Sequence, residues 1–269
     1  MVTREDCGAV AILRLAHGRA NALDPEILGA LGEALTAAAT RAVVLTGEGA
    51  MFSAGVDLKR LAAGGPDYPG ALLPALGDCF ARLFYHPRPV VAAVNGHAIA
   101  GGCVLACAAD RRVAARGAAR IGVTELLVGV PFPAIALEIM RSALSPGHFA
   151  EMVYGGRTVS VEEAARRGLV DEVVEPSGLV DAAVAAAEAR RDPPRDLRPH
   201  QGAGPAAHAR LPRRARGADR SRGGAVLARA RGAGGDPPLR GEDAGRRPFL
   251  DTLPPAPPLR VGYLMPGGA

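Results

Sequence analysis

Along the first two-thirds of the chain, short apolar runs alternate with longer stretches in which apolar residues recur at helical spacing. Residues 9–15 (AVAILRL) fit a short strand. Asp24 is a good N-cap and Pro25 suits the first helical position, and from Ile27 to Leu35 the apolar residues repeat with helical period. Residues 41–46 form a second, buried strand, followed by a glycine-rich stretch from Gly47 to Gly55. Asp57 can cap a short helix through Leu61, and a longer amphipathic helix spans about 70–85. Residues 89–94 (PVVAAV) are the next buried strand, ending in a loop that holds Gly96, Gly101 and Gly102. The same reading predicts helices near 101–108, 132–142, 145–154, 160–167 and 177–190, with short strands near 111–115 and 170–174. Strands this uniformly apolar, alternating with helices, imply an α/β fold with helices packed on a buried sheet.

The pattern stops near residue 190. In residues 191–269, Pro and Gly make up 26 of 79 positions and isoleucine is absent. No helical or alternating period survives more than a few residues. Such a segment has too little apolar surface to offset its ordering entropy, and it is expected to be irregular or disordered. Arg, Ala, Gly and Pro all have GC-rich codons, so a GC-rich gene read out of frame yields this mixture. The chain is accordingly divided into a domain at 1–190 and a low-complexity tail at 191–269, read as a frameshifted replacement of a helical C-terminus. The gene sequence tests this: an amphipathic helical pattern in neither alternative frame would contradict it.

Charge follows the same division. Residues 1–190 hold 17 basic and 20 acidic side chains, whereas 191–269 hold 15, all arginine, against 7. The net charge of +5 therefore belongs to the tail. Fifteen arginines would give salt-dependent affinity for phosphate backbones. The tail has only Phe249 and Tyr263 for stacking and no helical basic face, so nucleic acid is not the expected partner.

With 269 residues the chain can bury about 70–75% of its unfolded surface without disulfides or metal. The cysteines Cys7, Cys79, Cys103 and Cys107 form no CxxC pair and no zinc-type spacing, and they read as reduced, mostly buried thiols. No apolar run is long enough to span a membrane. Arg4, Glu5 and Asp6 precede any apolar stretch, unlike a signal peptide. A cytoplasmic protein is expected.

Chemistry concentrates in residues 51–130. Residues 51–58 (MFSAGVDL) place a sharp turn between a strand and a helix start, and 95–103 (NGHAIAGGC) repeat that logic. Small residues let the backbone approach a ligand, and amides at a helix start attract developing negative charge. Two such amides aimed at one oxygen would make an oxyanion hole. No GxSxG, P-loop, GxGxxG or HExxH motif occurs.

Taken together, residues 21–23 (NAL), the two turns, Asp110, residues 121–129 (IGVTELLVG) and 163–170 (EAARRGLV) resemble the enoyl-CoA hydratase/isomerase (crotonase) family over about 8–190. The resemblance implies a spiral of ββα units, an acyl-CoA thioester substrate and no cofactor beyond the coenzyme A of that substrate. It places the oxyanion donors at the backbone amides of Val56 and Gly101. Valine for the commoner alanine at 56 need not abolish the hole, because the donor is main chain. Ala20, Ala22, Ala54, Asp57, Leu58, Gly102 and Thr124 fall where relatives contact substrate. The resemblance also implies homotrimers or hexamers, built partly by C-terminal helices that also cover the acyl pocket. An enzyme inactivated by the loss of those helices is a further alternative.

Hydratases of this family use two glutamates, and the first of those positions here is Val104. The second is Glu125. Adding water needs a positioned nucleophile and a proton, work shared by two carboxylates. Moving a double bond from C3 to C2 needs one base that takes a proton from C2 and returns it to C4. Single-glutamate isomerases of the family share a run like Ala100–Cys103 (AGGC), so 3,2-enoyl-CoA isomerisation is the expected reaction. Hydration, or another family reaction, with one glutamate is the alternative. Among Ile121, Val123, Leu126, Leu127 and Val128, Glu125 is expected to have a raised pKa. The bland reading of Glu125 is a helix-start or surface carboxylate. His17 has no partner motif, His97 reads as a structural loop histidine, and Glu138 reads as a solvated or paired helix residue.

Overall fold

A computed structural model describes residues 1–189, and the division at 190, the irregular tail and its frameshift origin concern residues outside them. Among the described residues, ten strands divide between two sheets. The larger has the order β1 (Val2–Cys7), β2 (Val10–Leu15), β3 (Ala42–Gly47), β5 (Val90–Val94), β7 (Arg111–Ala115), β10 (Glu172–Val174). The smaller has the order β4 (Met51–Ser53), β6 (His97–Ile99), β8 (Arg120–Gly122), β9 (Thr158–Ser160). From β2 to β10 the large sheet is parallel, with β1 antiparallel on its edge. In the small sheet β4, β6 and β8 are parallel and β9 is antiparallel.

Chain order explains this arrangement. The consecutive pairs β3–β4, β5–β6 and β7–β8 each give one strand to the large sheet and the next to the small one; helices carry the chain back to the large sheet after β4 and β6, and after β8 they lead first to β9 of the small sheet. Parallel neighbours need such crossovers. The result is the spiral of ββα units.

The large sheet is buried on both faces, as its apolar strands require. Val10, Ile12, Val44, Val91 and Ala93 pack with Leu179, Ala183 and Ala187 of α9 (Leu179–Ala189). The alternate residues Ala11, Leu13, Val43, Leu45 and Ala92 join the cluster formed by α1 (Pro25–Ala37), α3 (Tyr68–Phe84) and α4 (Gly101–Cys107). Every residue of α4 is buried, and its small side chains allow a helix inside the core. Gly102 shows the tolerance: a Cβ there would lie 2.2 Å from the Ser53 carbonyl oxygen.

Helix α1 begins where expected. Asp24 is 1% exposed, accepts from the Ile27 N–H at 3.0 Å, and also meets His17 Nε2 and the Arg60 guanidinium, each at 2.7 Å. His17, which has no partner motif in the sequence, is thus paired by the fold. Removing the carboxylate leaves a helix N-terminus uncapped and takes a partner from His17 and from Arg60, which keeps Glu26. Asp24→Ala is expected to cost about 2–4 kcal/mol, counting a cap at ~1 and a charged hydrogen bond at ~1.5–3, as urea unfolding would measure.

Other expectations need correction. Strand β1 was not expected, because residues 3–7 are exposed and mostly polar; pairing with β2 makes the strand. The glycine-rich stretch and the second loop contain β4 and β6, and β8, β9 and the short helix α5 (Glu125–Val128) are further additions. The segment near 145–154 is a short helix α7 (Pro146–Phe149) followed by a π-helical turn at Ala150–Tyr154. The remaining helices are α2 (Leu58–Ala63), α6 (Ala134–Ala143) and α8 (Val161–Arg166). Cys7 is exposed, and the other cysteines are buried and free. Among the described residues no helix is long and apolar enough to cross a membrane.

Candidate active site

The three parallel strands of the small sheet each end at a residue singled out in the sequence. Strand β4 leads into Ala54, Gly55 and Val56, β6 into Ala100 and Gly101, and β8 into Val123, Thr124 and Glu125. Because β6 pairs with both β4 and β8, the fold brings these segments side by side at the carboxyl ends of the strands. A further bond, from the Ala100 N–H to the Gly122 carbonyl at 2.8 Å, ties the second turn to the segment carrying Glu125.

The first turn is a backbone ladder with residues 20–23. The Ala54 N–H donates to Ala20 O at 3.0 Å, Leu23 N–H to Gly55 O at 2.8 Å, and Asp57 N–H to Leu23 O at 3.1 Å. Since a trans peptide is planar, the Val56 N–H points opposite to the Gly55 carbonyl, away from Leu23. Gly55 takes φ +80, and a Cβ on it would lie 2.8 Å from the Gly101 nitrogen. The two turns therefore touch. The Gly101 N–H is the first of α4, where no preceding carbonyl of the helix can receive it. Ala100 precedes it at φ 52, ψ −128, a conformation uncommon for a residue with a side chain.

Of the other candidates, Ala20, Ala22, Ala54 and Asp57 are half-buried around this ladder, and Leu58 is exposed at its outer end. The Asp57 carboxylate caps α2, accepting from the Lys59 and Arg60 N–H groups at 3.0 Å each. Gly102 is buried against β4, and Thr124 is half-buried beside Glu125.

Glu125 opens α5, as the bland reading allowed, yet it is only 7% exposed. Its Oε2 is buried without a hydrogen-bond partner among the described residues. Burial raises its pKa to about 7, against partial opposition from the N–H groups of Glu125 itself and Thr124. The source of that burial differs from expectation. Leu126 and Leu127 are 49% and 67% exposed, while Ile121 and Val123 are buried, so the core side of the segment supplies the desolvation. Cys103 of α4 lies close enough to feel the charge on Glu125, although its thiol is raised first by its hydrogen bond with Cys107 and then by burial. Val104 is buried in the same core cluster. His97 accepts from the Arg120 N–H at 3.1 Å, a structural role, and Glu138 is exposed and paired with Arg141 at 3.0 Å.

Sequence reasoning missed Asn21 and Ser53 as parts of this scaffold. Both are fully buried and bonded to the first turn. The NAL and FSAG runs contained them, but only long-range bonds reveal what they hold.

The fold thus brings two adjoining backbone turns and one buried carboxylate together at the carboxyl ends of parallel strands, and comparison with known proteins identifies the family. The sequence profile described as enoyl-CoA hydratase/isomerase matches residues 5–199. A Thermus thermophilus protein described as a putative enoyl-CoA hydratase is 36% identical over 188 residues, covering 67% of this chain and 74% of that protein. The structure of an enoyl-CoA hydratase/isomerase family protein from Pseudomonas syringae matches with a TM-score of 0.69 at 28% identity. It covers 75% of this chain and 87% of its own. Two structures of one Mycobacterium tuberculosis protein also match over 72% of this chain. One is described as a probable enoyl-CoA hydratase, EchA3 (TM-score 0.67, 33% identity, 83% of that chain). The other is described as an enoyl-CoA isomerase (TM-score 0.66, 32% identity, 85% of that chain). This chain belongs to the enoyl-CoA hydratase/isomerase (crotonase) family.

Proposed function

We propose that the protein is a cytoplasmic 3,2-enoyl-CoA isomerase in which Glu125 shuttles the proton and the Val56 and Gly101 amides hold the thioester oxygen. The observation that carries this reading is a single buried carboxylate with an unpartnered oxygen, on a segment tied to the Gly101 turn, with buried Val104 where a second glutamate would stand. The other buried carboxylate among the described residues, Asp24, is occupied by His17, Arg60 and the start of α1.

In this mechanism the thioester carbonyl lies between the two N–H groups, and ionised Glu125 removes a C2 proton from a 3-enoyl-CoA. Negative charge moves onto the carbonyl oxygen, where the amides stabilise it; one such donor is worth ~2.7–4 kcal/mol. The same carboxyl then delivers the proton to C4, and the double bond comes to rest at C2. A group titrating near 7 both accepts and releases a proton at neutral pH. Ala20, Ala22, Ala54, Asp57 and Leu58 would flank the thioester and its coenzyme A, with Gly102 and Thr124 behind the two reacting ends. The protein needs no separate cofactor in this scheme, and it would act as a homotrimer or hexamer.

The experiment supplies 3-enoyl-CoA and 2-enoyl-CoA separately. Conversion of the first to 2-enoyl-CoA without formation of 3-hydroxyacyl-CoA is expected. Hydration of 2-enoyl-CoA with no isomerisation would overturn the proposal in favour of a single-glutamate hydratase, which the description of the Thermus relative favours. Because the base must be ionised, kcat/KM is expected to fall as pH drops below about 7, following the raised pKa of Glu125.

A further inference from the structure

The ladder between residues 20–23 and 54–57 has a gap. Asn21, at φ 46, and Gly55, at φ +80, are both left-handed and face each other across it. The Asn21 carbonyl and the Gly55 N–H meet no backbone partner there. The Ser53 hydroxyl takes both, donating to Asn21 O at 2.8 Å and accepting from Gly55 N at 3.1 Å. Ser53 is fully buried, and Gly102 packs so closely on it that a Cβ there would meet the Ser53 carbonyl group and Cβ at 2.2–2.8 Å. Asn21 is itself fixed, its side-chain amide donating to Met51 O at 2.9 Å and Glu48 O at 3.2 Å while Oδ1 accepts from His17 N at 3.0 Å. The hydroxyl thus sets one side of Gly55, and the Leu23 N–H bond to Gly55 O sets the other. Between them they fix the peptide plane that carries the Val56 N–H.

We infer that Ser53 is a positioning residue whose hydroxyl bridges Asn21 and Gly55 and thereby aims the Val56 N–H at the thioester oxygen. The inference rests on the oxyanion role proposed above for Val56. It concerns a donor that strengthens its bond only as charge develops, so losing its alignment reduces turnover more than ground-state binding.

The test compares wild type, Ser53→Ala and Ser53→Cys, the last keeping a weak donor on a somewhat larger atom. Turnover of 3-enoyl-CoA is read alongside the ultraviolet enolate band of bound 3-oxoacyl-CoA, a ligand that reports stabilisation of negative charge on the carbonyl oxygen. Ser53→Ala is expected to lower kcat roughly tenfold or more with KM unchanged, part of the ~10²–10³ that a whole donor supplies. The enolate band should weaken with it, and Ser53→Cys should lie between. A wild-type band and kcat retained in Ser53→Ala, or a loss confined to KM or thermal stability, overturns the inference alone. Absence of the band from the wild-type enzyme overturns the oxyanion reading and this inference with it.

Discussion

Glu125→Gln is expected to lower kcat for isomerisation by about 10²–10⁴-fold while leaving affinity for acyl-CoA nearly unchanged. Glutamine has the same shape and can still be buried, but it cannot accept the C2 proton. The same substitution should stabilise the protein at high pH, and the sign follows from burial. Folding raises the carboxyl pKa from 4.5 to about 7. Below about pH 4.5 both folded and unfolded chains hold the proton, so the penalty is absent. Between 4.5 and about 7 the folded chain binds a proton that the unfolded chain has released, and stability declines as pH rises. Above 7 the full penalty applies, about 3 kcal/mol at ~1.4 kcal/mol for each pH unit between the two values. Thermal unfolding at pH 8 should therefore favour Glu125→Gln over wild type, with the gap closing toward pH 4.5. Equal stability across that range would mean that the carboxylate is not desolvated.

Gly55→Ala should be nearly as damaging, by a different route. A side chain at φ +80 is strained, at a cost of about 1–3 kcal/mol. Its Cβ would also lie 2.8 Å from each of the Gly101 nitrogen, the Ile99 oxygen and the Ala100 Cβ. Two of these atoms are main chain, so the turns must separate. The peptide that moves carries the Val56 N–H, and the one that it pushes carries the Gly101 N–H. A loss of about 10²–10³ in kcat is expected, the scale of an oxyanion donor, with wild-type circular dichroism at temperatures well below unfolding. Unimpaired turnover in a folded Gly55→Ala protein would show that the contact between the turns does not shape the site.

How far the sequence discloses this architecture varies with the length of each element. Helix α1 is legible because Asp24, Pro25 and the apolar spacing from Ile27 to Leu35 agree on one answer, and β3 and β5 because their residues are continuously apolar. The small sheet is not, since its strands are three residues each and show no measurable period. Yet that sheet lines up the two turns and Glu125. Strand β1 is invisible for another reason: an exposed edge strand rich in charge reads as a tail until its partner is known. Motif order singles out Val56, Gly101 and Glu125 as candidates, whereas contacts distant in sequence are not legible from it. Asn21 and Ser53 meet across 32 positions. The burial of Glu125 comes from the core side, although the leucines that follow it made the apolar neighbourhood look local.

In the proposed mechanism one carboxylate handles the proton on both carbons, and isotope transfer reports on that step. A 3-enoyl-CoA deuterated at C2 would be turned over briefly and the product analysed by mass spectrometry and NMR. The expected product is 2-enoyl-CoA carrying part of that deuterium at C4, with no product above background for Glu125→Gln. Deuterium reaching C4 at the wild-type rate in the Glu125→Gln enzyme would contradict the mechanism.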